Sequence, residues 1–132
     1  MNRRRRSALY VPASNARAVD KARSLPCDVV ILDLEDAVAP EAKAQARAQA
    51  VAAVREGGFG EREVVVRVNA LDTGLTLDDL AATLPARPQG LILPKSASAD
   101  DVNRLHALIM MVAPGDETTP VIAIATETAA SI

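Results

Sequence analysis

Val29-Val30-Ile31-Leu32-Asp33-Leu34-Glu35-Asp36-Ala37-Val38 passes from a β-branched apolar run into three carboxylates. Strands buried on both faces of a parallel sheet read as near-continuous hydrophobic runs, so the stretch predicts a strand over Asp28 to Leu34 with its acids at the C-terminal end. In α/β proteins that edge is where active sites are assembled. Glu35 and Asp36 also have a plainer use, as acids preceding the helix that opens near Pro40.

Outward from this run, strand and helix signals alternate with short connections. Ser7 to Ala13 reads as a strand, and Asn15 to Ser24 as a helix with Ser14 or Asn15 as its N-cap. Pro40 suits a first helical turn, and Glu41 to Glu56, rich in Ala, Gln, Lys and Arg, is a helix that Gly57-Gly58 ends. Val64 to Val68 is a third strand, Leu75 to Leu84 a helix starting near Thr76, and Gly90 to Leu93 a fourth strand closed by Pro94. A helix over Ala99 to Val112 and a fifth strand over Val121 to Thr126 complete the pattern (βα)4β.

Repeated βα units call for a parallel sheet, either doubly wound or closed as a (β/α)8 barrel. A dinucleotide-binding doubly wound fold places Gly-x-Gly-x-x-Gly after its first strand, whereas Pro12-Ala13-Ser14-Asn15 contains no glycine, and no Walker-type phosphate loop occurs. The expected class is therefore α/β of the (β/α)8 TIM-barrel type. Only the first five strands fall within this chain, so residues 1–132 are expected to form the N-terminal part of a single barrel domain.

At 132 residues and 49% apolar, the chain supports one sizeable core. A net charge of −2, with Tyr10 and Phe59 as the only aromatics, provides neither a basic surface nor a base-stacking platform, which argues against nucleic acid. Arg3 to Arg6 are followed by no signal-peptide-like apolar region and no segment reaches membrane-spanning length, so a cytoplasmic protein with a solvated basic N-terminus is expected. Cys27, the single cysteine, opens an apolar strand and reads as a small core residue; His106 reads as a helix-surface residue.

Polar groups recur where the predicted strands end: Asp33, Glu35 and Asp36 on the second, Arg67 and Asn69 on the third, Lys95 after the fourth, and Thr126, Glu127 and Thr128 after the fifth. An arginine in an apolar strand is costly unless paired, so Arg67 belongs to a buried ion pair with a second-strand acid or to a site. Lys95 reads as an electrostatic or structural residue. Glu127 is open between a site role and a place at a helix start. Carboxylates with an arginine and no His/Cys cluster suit a hard cation with oxygen ligands, Mg²⁺ above all. Such a metal polarises a carbonyl while an arginine binds a carboxylate or stabilises an enolate, which equips a site for carbon-carbon chemistry beside a carbonyl.

Arg6-Ser7-Ala8-Leu9-Tyr10-Val11-Pro12-Ala13-Ser14-Asn15, Ile31-Leu32-Asp33-Leu34-Glu35-Asp36-Ala37-Val38 with Pro40 and Lys43, Val66-Arg67-Val68-Asn69, Leu93-Pro94-Lys95 and Glu127-Thr128 together resemble the citrate lyase beta-subunit family, which includes malyl-CoA and citramalyl-CoA lyases and related thioesterases. The resemblance implies a (β/α)8 barrel, Mg²⁺, and 3-hydroxy acids carried as thioesters on coenzyme A or an acyl carrier. By that analogy Glu127 is a metal ligand and substrate-binding residue, Arg67 contacts the oxo-acid or enolate end, and Glu35 and Asp36 bond the metal's waters or orient Arg67. Arg17 and Lys21 become candidates for coenzyme A phosphates. The family's second metal-binding aspartate and its lid come from later strands. The expected reaction is Mg²⁺-dependent cleavage of a citryl-, malyl- or citramalyl-type thioester to an oxo acid and an acetyl-type thioester, by a full-length homo-oligomer. The competing readings are an inactive truncated or interaction subunit and an oxo-acid aldolase that uses no thioester.

Overall fold

The computed structural model describes residues 3–131. Five strands form one all-parallel sheet: β1 (Ala8–Pro12), β2 (Val29–Asp33), β3 (Glu63–Arg67), β4 (Gly90–Leu93) and β5 (Val121–Ala123), in the spatial order β1-β2-β3-β4-β5. The helices between them are α1 (Ala16–Ala22), α2 (Lys43–Glu56), α3 (Thr76–Thr83) and α4 (Ala99–Val112). A doubly wound sheet reverses direction at a switch point, so this unbroken sequential order is the winding of a TIM-barrel-type fold.

The two faces of the sheet are filled differently. On one, Val30, Leu32, Val64, Val66, Leu91 and Leu93 pack under helix residues Val19, Ala46, Ala50, Leu80, Leu105 and Ile109 in the main core. On the other, Val29, Ile31, Val65 and Ile92 form a small apolar layer with Ile122 and Ile124 against it. Period-2 alternation separates the sets, and helices cover only the first face, as on the outside of a barrel. Asp33 and Arg67 continue the inner-face rows and are direct register partners across β2 and β3.

The expected elements are all present, with local differences at their ends. Asn15 caps α1 by accepting the Ala18 N–H at 3.1 Å, and Pro40–Ala42 form a 3-10 turn before α2 rather than its first residues. The fifth strand is shorter than the predicted Val121 to Thr126 and only partly buried. It pairs with Leu91–Leu93 of the four-residue β4 and, among the described residues, is the last strand of the sheet. Past Ala123 the ladder continues only as single bonds, from Ile124 N–H to Leu93 and from Ser96 N–H to Ile124.

The basic run Arg3 to Arg6 is exposed, as expected of a solvated N-terminus leading into a strand, and two of its arginines have partners besides water. Arg5 holds the buried Glu63 carboxylate at 2.7 and 2.9 Å, and Arg6 pairs with Asp28 at 3.2 Å, so part of the basic run closes the N-terminal end of the sheet. Cys27 is half-buried against the main core and His106 lies exposed on α4, as expected. Among the described residues no helix is long and apolar enough to cross a membrane.

Candidate active site

The C-terminal ends of β2 and β3 bring the fully buried Asp33 and the largely buried Arg67 into a bidentate pair. Arg67 Nε donates to Asp33 Oδ1 at 2.8 Å and Nη2 to Oδ2 at 2.7 Å. Parallel N–H bonds from a guanidinium to a carboxylate are the geometry that makes such pairs strong and directional. The third guanidinium nitrogen, Nη1, lies 3.3 Å from Glu35 Oε1, and the Tyr10 ring of β1 stands 4.5 Å from Arg67 Cζ in a cation–π contact. Arg67 is thus enclosed by residues of two strands, β1 and β2, and the turn that leaves β2, and its affinity for its proton is raised by Asp33 in spite of burial.

Asp33 does more than pair. The same two oxygens accept the N–H groups of Glu35 at 2.9 Å and Ala37 at 3.0 Å, so the strand's last residue shapes the turn that follows it. Burial pushes the Asp33 carboxyl up; the bonds from Arg67, Glu35 and Ala37 together with the Arg67 charge outweigh this and hold it below the usual carboxylate range. The sequence reading placed Asp33 among the rim acids without a role. Its signal was its position, in phase with the inner-face residues Val29 and Ile31.

Glu35 is 4% exposed, and neither of its oxygens has a hydrogen-bond partner. Each faces a cation instead: Oε1 faces Arg67, and Oε2 lies 3.0 Å from Lys95 Nζ. Asp36 is exposed and 3.7 Å from the same ammonium. Lys95 itself sits in the left-handed region at φ 54°, with its backbone N–H donating to Glu127 Oε2 at 2.6 Å. A non-glycine residue at positive φ is strained and persists where its surroundings hold it, which Glu127 does at the backbone N–H and Glu35 at the ammonium. The contact with Glu35, then the Glu35, Asp36 and Glu127 charges, raise the Lys95 pKa.

Asn69 does not join this group. Its backbone N–H and its Nδ2 both donate to Asp79 Oδ2 at 2.7 Å, and Arg47 Nε donates to Asp79 Oδ1 at 2.7 Å, so Asn69 belongs to a buried network beneath α2 and α3. Arg17 and Lys21 lie exposed on α1, which leaves β1 at the same end of the sheet as the rim acids.

Among the described residues no group of three or more His, Cys, Asp and Glu side chains could hold a metal alone. Mg²⁺ is commonly held by one or two carboxylates while substrate oxygens and water fill its octahedron, and the two unbonded Glu35 oxygens are acceptors suited to such waters. The donor set fits a hard, largely hydrated cation, with Glu127 as the exposed carboxylate at its edge.

Comparison with known proteins agrees with this geometry. The chain is 41% identical over 104 residues to a (3S)-malyl-CoA thioesterase of Cereibacter sphaeroides, covering 79% of this chain and 36% of that protein. It is 38% identical over 100 residues to the human mitochondrial citramalyl-CoA lyase, covering 74% of this chain and 29% of the lyase, so it spans about a third of the length of such relatives. A citrate lyase beta subunit from M. tuberculosis, solved in complex with oxaloacetate and magnesium, superposes with a TM-score of 0.59 at 36% identity, over 90% of this chain and 48% of that one. The family described as HpcH/HpaI aldolase/citrate lyase matches residues 6–132, every rim residue named above among them, and the chain belongs to that family.

Proposed function

We propose that this chain carries the N-terminal share of the active site of a Mg²⁺-dependent carbon-carbon lyase acting on a 3-hydroxyacyl thioester. The observation that carries the reading is the buried Arg67, fixed by Asp33 and Tyr10 at the sheet's C-terminal rim beside a Glu35 carboxylate with no hydrogen bond. The reaction breaks the bond between the 2- and 3-carbons of the acyl group. The 3-hydroxyl loses its proton and becomes the oxo group of the departing acid, and the bonding electron pair passes to the thioester's 2-carbon, which then takes up a proton. Relatives named for a thioesterase and a lyase, and one solved with oxaloacetate and magnesium, support the substrate class and the metal.

In this reading Arg67 presents Nη1 to the oxo-acid end, because Asp33 already occupies Nε and Nη2. A fixed guanidinium of this kind stabilises negative charge developing on the oxo acid at no reorganisation cost. Glu127 holds the metal directly, while Glu35 and Asp36 hold its waters; the bound metal supplies Lewis-acid polarisation of the oxo-acid oxygens. Arg17 and Lys21 meet the phosphates of a coenzyme A carrier.

The test is incubation of malyl-CoA or citramalyl-CoA with Mg²⁺ and the chain, alone and joined to the C-terminal remainder of the Cereibacter thioesterase. Release of glyoxylate or pyruvate is expected. Free malate without glyoxylate would favour the second reading, a thioesterase, for which the 41% identity to a protein of that name speaks. No turnover and no Mg²⁺-dependent change in either form would overturn both.

A further inference from the structure

The turn carrying Glu35 and Asp36 is held from two sides. From within, the Asp33 carboxylate accepts the N–H groups of Glu35 and Ala37. From the helix side, Lys43 Nζ donates to the carbonyls of Leu34 and Glu35, each at 2.7 Å. The Glu35 carbonyl also accepts the Val38 N–H at 3.0 Å, which closes the turn on itself.

Lys43 occupies an unfavourable place for a cation. It is the first residue of α2, whose first turn contains no acid and whose cap residue Ala42 makes no side-chain bond, so the helix dipole opposes the ammonium and nothing within that turn offsets it. Burial lowers its pKa, against the pull of Asp33, Asp79, Glu35 and Asp36. Among the described residues it forms no ion pair, and its ammonium donates to the two carbonyls. A lysine that only solubilised the helix would extend into water, as the exposed Arg55 does at the other end of α2.

We propose that Lys43 is a positioning residue of the rim: by holding the Leu34 and Glu35 carbonyls it turns the Glu35 side chain to stand between Arg67 and Lys95. A methionine has a similar stem without donors, so Lys43→Met takes the ammonium from the half-buried Leu34 carbonyl and leaves the Glu35 carbonyl with the Val38 N–H alone, and the turn rotates to bring the Leu34 carbonyl a new donor. Rotation of that peptide carries the Glu35 carboxylate away from Lys95. The catalytic meaning rests on the reading of Glu35 under the proposed function. The geometry stands apart from it and is tested without substrate or metal.

The experiment is ammonium-selective NMR on the isotopically labelled chain, with Lys43→Met, the same-helix control Arg55→Met, and Lys95→Met to assign the Lys95 signal. Wild type is expected to show the Lys43 ammonium coupled through hydrogen bonds to the Leu34 and Glu35 carbonyls, and a slowly exchanging Lys95 ammonium. Lys43→Met is expected to remove or strongly shift the Lys95 signal although the two lysines share no contact; Arg55→Met is expected to leave it in place. A folded Lys43→Met with a lowered melting temperature and an unchanged Lys95 signal would show that Lys43 only stabilises the helix start, overturning the proposal. Should Lys43→Met fail to fold, the wild-type couplings decide: their absence overturns the proposal, and a lyase assay that fails while they are present leaves it intact.

Discussion

Asp33→Asn attacks the residue on which the rim is built. Asp33 is fully buried and accepts four bonds: two from Arg67, one from Glu35 and one from Ala37. An amide offers one oxygen, so whichever way it sits its NH2 faces two of those four donors. The change also strips the full counter-charge from a guanidinium with little solvent. Breaking a buried pair by removing one partner costs about 3–5 kcal/mol. Arg67 keeps Glu35 at 3.3 Å and the Tyr10 ring at 4.5 Å, which places the expected loss at the lower end. For a domain whose total stability is about 5–15 kcal/mol, a loss of about 3 kcal/mol is a large share. With an m-value of about 1–3 kcal/mol/M in urea, the midpoint followed by circular dichroism falls by about 1–3 M. Adding Arg67→Met should recover part of the loss, because it removes the stranded charge, giving a coupling of about 0.5–3 kcal/mol. The pH dependence has a fixed sign. The Asp33 carboxyl is held below its unfolded value of about 3.9, so its stabilisation is present above that pH and is lost as pH falls through the lower folded value. The gap between wild type and Asp33→Asn should therefore be constant from neutral pH to about pH 5 and narrow only below about pH 4. A loss under about 1 kcal/mol, or a gap that closes near neutral pH, would refute the view that this pair organises the rim.

Arg67→Lys keeps the charge but cannot make two parallel bonds to Asp33; denaturant melts should show a loss of about 1.5–3 kcal/mol, and turnover in the joined protein should fall as well. Glu127→Gln removes a negative ligand while keeping an amide oxygen to accept the Lys95 N–H, so calorimetric Mg²⁺ titration should show weakened binding; unchanged affinity would exclude Glu127 as a ligand. Replacing Arg17 and Lys21 together with alanine should weaken coenzyme A binding by calorimetry with little change in melting temperature, since both are exposed on α1. Adding the C-terminal part of a relative in trans should raise the melting temperature by mass action, as a partner that binds only the folded form must.

The fold was legible where one physical signal dominated. The run Val29 to Leu32 has the composition of a strand buried on both faces, and the Ala-rich segment ending at Gly57-Gly58 has a helix former at most positions and a left-handed stop. The bounds of β5 were not, because Val121 to Ala125 is as apolar as a central strand, whereas its ladder reaches only Leu91–Leu93 of the four-residue β4 beside it, which its own residues do not show. The site was legible as a rim of acids, Arg67 and Lys95. Its internal arrangement was not: whether Asn69 joins the rim or turns to Asp79 depends on where α3 packs, and Lys43 reaches the acid turn only because a 3-10 turn precedes α2. Asp33 and Tyr10 were readable in principle, since both fall on the inner-face phase of their strands.

The sequential strand order bears on how such a site comes into being. Each strand is bonded to the one that immediately precedes it in the chain, so every pairing closes only the loop made by a single helical connection. Among the described residues, the pairings of β1 with β2 and of β2 with β3 need no strand from a distant part of the sequence. The Asp33–Arg67 pair and the Tyr10 ring over it all lie within the first three strands. A ribosome that has released about seventy residues has therefore already supplied every group of that cluster. The anionic pole of the rim can be set before the residues that give it Lys95 and Glu127 exist, and each later βα unit then folds onto a template whose charge is already in place.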